Sequence, residues 1–115
     1  MQKTIFLIVL FLSFSVEAKV GQRNDLTILQ WHPSSSSRIH SPQYNGLTRV
    51  YFSEKSEWGS TSCRNDAADI KAEDTHLLSA MLAAFMSNKK VSIEVNDDLS
   101  KVDNVCKVTA AFITR

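Results

Sequence analysis

The chain has 115 residues, 13 Lys and Arg against 12 Asp and Glu, a formal net charge of +1, 43% hydrophobic residues and two cysteines. That length admits one domain behind a leader and excludes two, and the apolar share is enough for a packed core. Balanced charge, without a basic stripe or block, excludes the electrostatic footprint of a nucleic-acid reader.

The leader is residues 1–18, MQKTIFLIVLFLSFSVEA: Lys3, an uncharged run from Thr4 to Val16, then Ala18 with Val16 at the −3 position. This is the pattern of a secretory signal peptide, and its apolar run is shorter than the roughly 20 residues of a membrane span. The expected product, Lys19 to Arg115, is secreted or periplasmic and not membrane-spanning once processed. Its charge stays at +1 because Lys3 and Glu17 leave together.

Residues 19–46 form an N-terminal polar segment carrying Pro33, Pro42, Gly46 and the run Ser34 to Ser37, which reads mostly as loop. Within it Leu26 to Trp31 is rich in β-formers and stopped by Pro33, so a first strand is expected there. Residues 47–115 hold the remainder of one small domain. Leu47 to Phe52 follows the turn dipeptide Asn45-Gly46 and alternates as a strand, and Glu57 to Cys63 reads as its hairpin partner. Arg64 to Asp74 is a charged connection.

A helix is expected from Thr75 to Ser87, capped by Asp74 or Thr75. Leu77, Met81 and Phe85 recur every fourth residue beside a second row of Leu78 and Leu82, while Asn88 suits a left-handed end. Val91 to Val95 then alternates with period two, as does Val105 to Thr114, where Cys106, Val108, Ala110 and Phe112 share one face. Two independent periodicities place Leu78, Met81, Leu82 and Phe85 in a core with Val91, Ile93, Val95, Val108 and Phe112.

Cys63 and Cys106 both lie in the exported part, where thiols normally pair. A bridge closing forty-odd residues stabilises by roughly 3 to 4.7 kcal/mol in the chain-entropy model. The competing use of a cysteine as nucleophile with His76 as base is the weaker reading. The element order β-β-β-α-β-β is that of the OB-fold, a mainly β, five-stranded, partly open barrel with one helix between its third and fourth strands. An open antiparallel sheet with one helix uses the same elements.

Trp58 and Cys63 ahead of an alanine-rich helix, then Ser87-Asn88-Lys89-Lys90-Val91-Ser92-Ile93-Glu94-Val95, then a cysteine at the start of the final strand, carry a family likeness. From Leu47 to Thr114 the chain resembles bacterial exported proteins related to the subtilase cytotoxin B subunit, and more loosely the B pentamers of other AB-type toxins. Asn88 stands where that pattern has glycine. The resemblance implies an OB-fold, a homo-pentamer that pairs strands around a ring, attachment to a cell-surface glycan and a catalytic toxin-like subunit as partner. No binding residue carries over from it.

Among candidate sites, His32 and His40 sit eight residues apart in a Pro/Ser-rich loop and His76 in a helix's first turn, spacings that read as surface histidines. Neither acidic group, Asp66 to Asp74 or Asp97 to Asp103, has the calcium-loop pattern, and the four serines lack an activating motif. No metal, cofactor or catalytic residue is therefore expected. Sugars stack on exposed rings, which makes Trp31, Tyr51 and Trp58 the candidate ligand-binding residues, against the ordinary reading that large aromatics fill small cores. The expected function is a secreted, non-enzymatic binding module for a glycan or partner protein; the alternative is a small exported hydrolase or enzyme inhibitor with a loop-built site.

Overall fold

The computed structural model describes residues 19–115, so the expected leader lies outside the described residues. Within them the order is β1 (Val20–Leu26), β2 (Ile28–Pro33), a 3₁₀ turn at Pro42–Tyr44, β3 (Leu47–Phe52), β4 (Ala67–Lys71), α1 (Thr75–Met86), β5 (Val91–Asn96) and β6 (Lys107–Ile113). The chain is mainly β with one helix. Its sheet has six strands rather than the expected five, in the order β1-β5-β6-β4-β3-β2. All pairings are antiparallel except β4 with β6, which run parallel and meet at one register pair, Asp69 with Lys107. No helix among the described residues is long and apolar enough to cross a membrane.

The extra strand comes from the segment read as loop. β1 and β2 occupy opposite ends of the sheet order, yet only Thr27 separates them. Register shifts flank that residue, between Arg23 and Leu26 and between Ile28 and Gln30, and Asp25 takes a left-handed φ of 56°. One bent run thus pairs with β5 in its first half and β3 in its second, as bulges allow. Glu54 holds the bend, its carboxylate accepting the Thr27 N–H at 2.8 and 3.0 Å. Burial pushes this carboxyl up, but the bonds from Thr27 and Ser53 outweigh it and hold the group at about 2.

The strand expected at Leu26 to Trp31 is corrected to these two because β1 hides its pattern. Its inward positions are Gly21, Arg23 and Leu26, of which only the last is an apolar side chain. Gly21 is required by close approach: a Cβ there would lie 2.5 Å from the Trp58 carbonyl oxygen. Arg23 is buried by stacking 4.8 Å over the Trp58 ring and by donating to the carbonyls of Asn65 and Glu54.

Glu57 to Cys63 is not a strand. It is an irregular loop that drops Trp58 into the core, edge-on to Phe52 at 6.1 Å, with its indole N–H donating to the Arg64 carbonyl at 2.9 Å. β3 instead pairs with β4, inside the stretch read as a charged connection. Ala67, Ala68, Asp69 and Ile70 are all buried, so neither face of β4 alternates in the sequence.

The helix lies where expected, with a corrected face and cap. Leu77, Met81 and Ala84 are buried, Leu78 and Phe85 partly so, and Leu82 points outward at 40% exposure. Asp74 holds the N-cap position without a side-chain cap bond. The helix ends in a Schellman turn: Asn88 is left-handed at φ 56°, its N–H donates to Phe85, and the Lys89 N–H donates to Ala84.

In β5 and β6 the alternation holds until a bulge. Val95 pairs with Val108 but Glu94 with Ala110, so the side chains beyond Thr109 change faces. Ala111 and Ile113 therefore share the Val91 and Ile93 side, and Phe112, expected in the core, is 48% exposed. The bridge expected between Cys63 and Cys106 is present, with Cα atoms 5.4 Å apart. It ties the loop before β4 to the residue before β6, beside the sheet's one parallel joint.

Candidate functional site

The three aromatic candidates are not gathered on one surface. Trp58 is wholly buried and presents no ring face to a sugar. Trp31 pairs with the inward Val50 and stacks on Phe85 of the helix. Tyr51 projects from the opposite face of β3, half-exposed, between Gln30 and Ala67 on the neighbouring strands.

On the Tyr51 face the sheet carries a polar cluster that sequence reasoning missed. Alternation along β3 sends Thr48, Val50 and Phe52 to the core and leaves Arg49 beside Tyr51, between His32 of β2 and Asp69 of β4. Arg49 is 4% exposed and Asp69 is fully buried. Their pairing is bidentate, Nε to Oδ1 at 2.9 Å and Nη2 to Oδ2 at 3.0 Å. Arg49 also donates to Asp103 Oδ2 at 3.1 Å and to the Val102 carbonyl at 2.9 Å. Burial disfavours its charge, but the Asp69 and Asp103 carboxylates outweigh that and raise its pKa.

Two loops close over this pair. From residues 34–46 comes Tyr44, whose ring lies 4.9 Å from the Arg49 guanidinium and whose hydroxyl donates to Asp103. From residues 97–106 come Asp103 and Asn104, left-handed at φ 55° and 63°, forming the two-residue turn between Val102 and Val105. The Tyr44 bond and the Arg49 charge hold Asp103 below the usual carboxylate range, and the same bond raises Tyr44. Lys107, 5% exposed, donates to the Ser100 carbonyl at 2.6 Å. Burial first, then Arg49 and Lys71, lower its pKa against the pull of Asp69.

The remaining candidates do not assemble chemistry. None of the three histidines makes a side-chain hydrogen bond among the described residues. Asp97 comes within 4.8 Å of both cysteine sulfurs, but these are joined to each other and offer no thiolate to a metal. Asp97 instead receives Lys101 and the Ser62 N–H and hydroxyl, which hold it at about 2 and pin the loop beside the disulfide. No enclosed pocket opens among the described residues. The polar face is thus an open shelf: Tyr51, Gln30 and His32 around a buried ionic base, framed by two loops. A signal for it was present only as Arg49 and Tyr51 at alternate positions of a strand.

Comparison with protein-family models, curated proteins and solved structures found no match to this chain.

Proposed function

We propose that the chain is a secreted, non-enzymatic binding module with an OB-like fold, and that it attaches to a glycan through the face of β3 and β4. Counting the bent β1–β2 run as one strand gives five strands with a helix between the third and fourth, and neighbours in the order 1-2-3-5-4. That order supports the barrel, whose second and third strands and two flanking loops bind oligosaccharides and oligonucleotides in other OB-folds. The observation that carries the reading is the junction of Tyr44, Asp103 and Arg49, which draws those two loops together over the outer face of those two strands.

Charge balance favours saccharide over nucleic acid, because Arg49 is neutralised within the fold by Asp69 and Asp103 and Arg64 by Asp66. An open shelf suits an extended ligand held by one ring and a few polar groups better than an enclosed small molecule. The disulfide accords with export to an oxidising compartment. A glycan panel probed with the wild-type chain and with Tyr51→Ala tests the reading. Binding lost at least tenfold by Tyr51→Ala supports it; no binding, or binding indifferent to Tyr51, overturns it.

A further inference from the structure

On the other side of β2 the fold leaves an apolar surface uncovered. Trp31 lies half-buried on Phe85, ring centroids 6.4 Å apart and 15° from parallel, and this stack joins the strand to the last turn of the helix. On the same two elements, within three residues of the stacked rings in sequence, Met86 is 75% exposed, Leu29 66% and Leu82 40%. Scattered apolar residues on a surface need no account, but these belong to two packed elements and flank one aromatic stack.

The charge on those elements is one-sided. From Leu26 to Ser37 there is no Asp, Glu, Lys or Arg, and from Thr75 to Ile93 the only such residues are Lys89 and Lys90. Both lysines are exposed, and the Schellman turn sets them directly beyond Met86.

We propose that this patch docks on an anionic lipid surface, with Trp31, Leu29, Leu82 and Met86 entering the boundary of headgroups and acyl chains and Lys89 and Lys90 meeting lipid phosphates. An indole at an apolar–wet boundary, flexible aliphatic side chains beside it and lysines that reach back to the headgroups are the chemistry of interfacial anchoring. A second copy fits less well. Two-fold pairing of the same patch gathers four lysines at one interface, with no carboxylate on either element to offset them. The docking does not depend on the glycan reading, since Trp31 and Tyr51 leave the sheet on opposite faces.

The test is co-sedimentation of the chain from Lys19 to Arg115 with vesicles of mixed phosphatidylglycerol and phosphatidylcholine, and with phosphatidylcholine alone. The expected result is binding to the mixed vesicles with a blue shift of tryptophan emission, which Trp31 supplies because Trp58 is already buried. Lys89→Gln with Lys90→Gln should weaken binding about thirtyfold, the equivalent of roughly 1 kcal/mol per lysine. Leu29→Ser with Met86→Ser should remove the blue shift. All four positions are exposed, so an unchanged urea midpoint shows that the variants remain folded. No binding, equal binding to both vesicle types, or binding unmoved by either pair of substitutions overturns the proposal. So does light scattering that finds a multimer dissolved by Met86→Ser, which places the patch between copies.

Discussion

Arg49→Ala removes both donors from the Asp69 carboxylate, which is fully buried and accepts from Arg49 alone among the described side chains. Lys107, the register partner of Asp69 on β6, is committed to the Ser100 carbonyl. A buried carboxylate stripped of its partner costs about 3 to 5 kcal/mol, a large part of the roughly 5 to 15 kcal/mol that holds a domain of this size together. At about 4 to 8 °C per kcal/mol the melting temperature should fall by roughly 12 to 40 °C. Urea unfolding followed by the emission of buried Trp58 reads this directly. Arg49→Met combined with Asp69→Leu, which removes both charges, should recover more than half of the loss, because the penalty lies in the orphaned charge rather than in the pair. If Arg49→Ala alone costs less than about 1 kcal/mol, water reaches Asp69 and the shelf does not rest on a buried ionic base.

Further outcomes follow from the same geometry. Alkylation without reductant should leave the intact mass unchanged, and Cys63→Ser with Cys106→Ser should cost about 2 to 5 kcal/mol in the same urea assay. Gly21→Ala places a methyl 2.5 Å from a backbone oxygen, which cannot rotate away, so a loss of about 1 to 3 kcal/mol is expected. Glu54 and Asp97 both titrate near 2 in the folded chain, below their ordinary values of 4.5 and 3.8. Their contribution is therefore whole above about pH 4.5 and lost as pH falls toward 2. Urea midpoints across that range should decline, and Glu54→Gln with Asp97→Asn should flatten the decline.

The sequence announced the elements whose burial alternates and stayed silent on those whose burial does not. Val91 to Val95 and the Leu77, Met81 and Phe85 row carry their periods openly because each element buries one side. β1 and β4 do not, since Gly21 and Arg23 hold inward positions in one and all four residues from Ala67 to Ile70 are buried in the other. The Phe112 error has a different origin. The expected inward face holds up to Val108, but the bulge skips Thr109 in the pairing and turns Ala110 and Phe112 to the other face, and a period of two gives no warning of a skipped count.

The polar shelf was illegible for a reason that bears on how it is built. Arg49, Asp69 and Asp103 lie 20 and 34 residues apart in sequence and meet only once β3, β4 and the turn before β6 are paired. Each alone reads as a solvated surface charge. What converts them is the parallel joint between β4 and β6, where a single register pair leaves the ladder thin. The Asp69 N–H to Cys106 carbonyl bond, the Cys63–Cys106 bridge and the Arg49 bonds to Asp103 and Val102 all cross that joint. The same guanidinium that closes the sheet where its backbone pairing is weakest also draws the Tyr44 and Asp103 loops together over the exposed face. The proposed ligand surface thus sits on the same cluster that crosses the thinnest joint of the sheet.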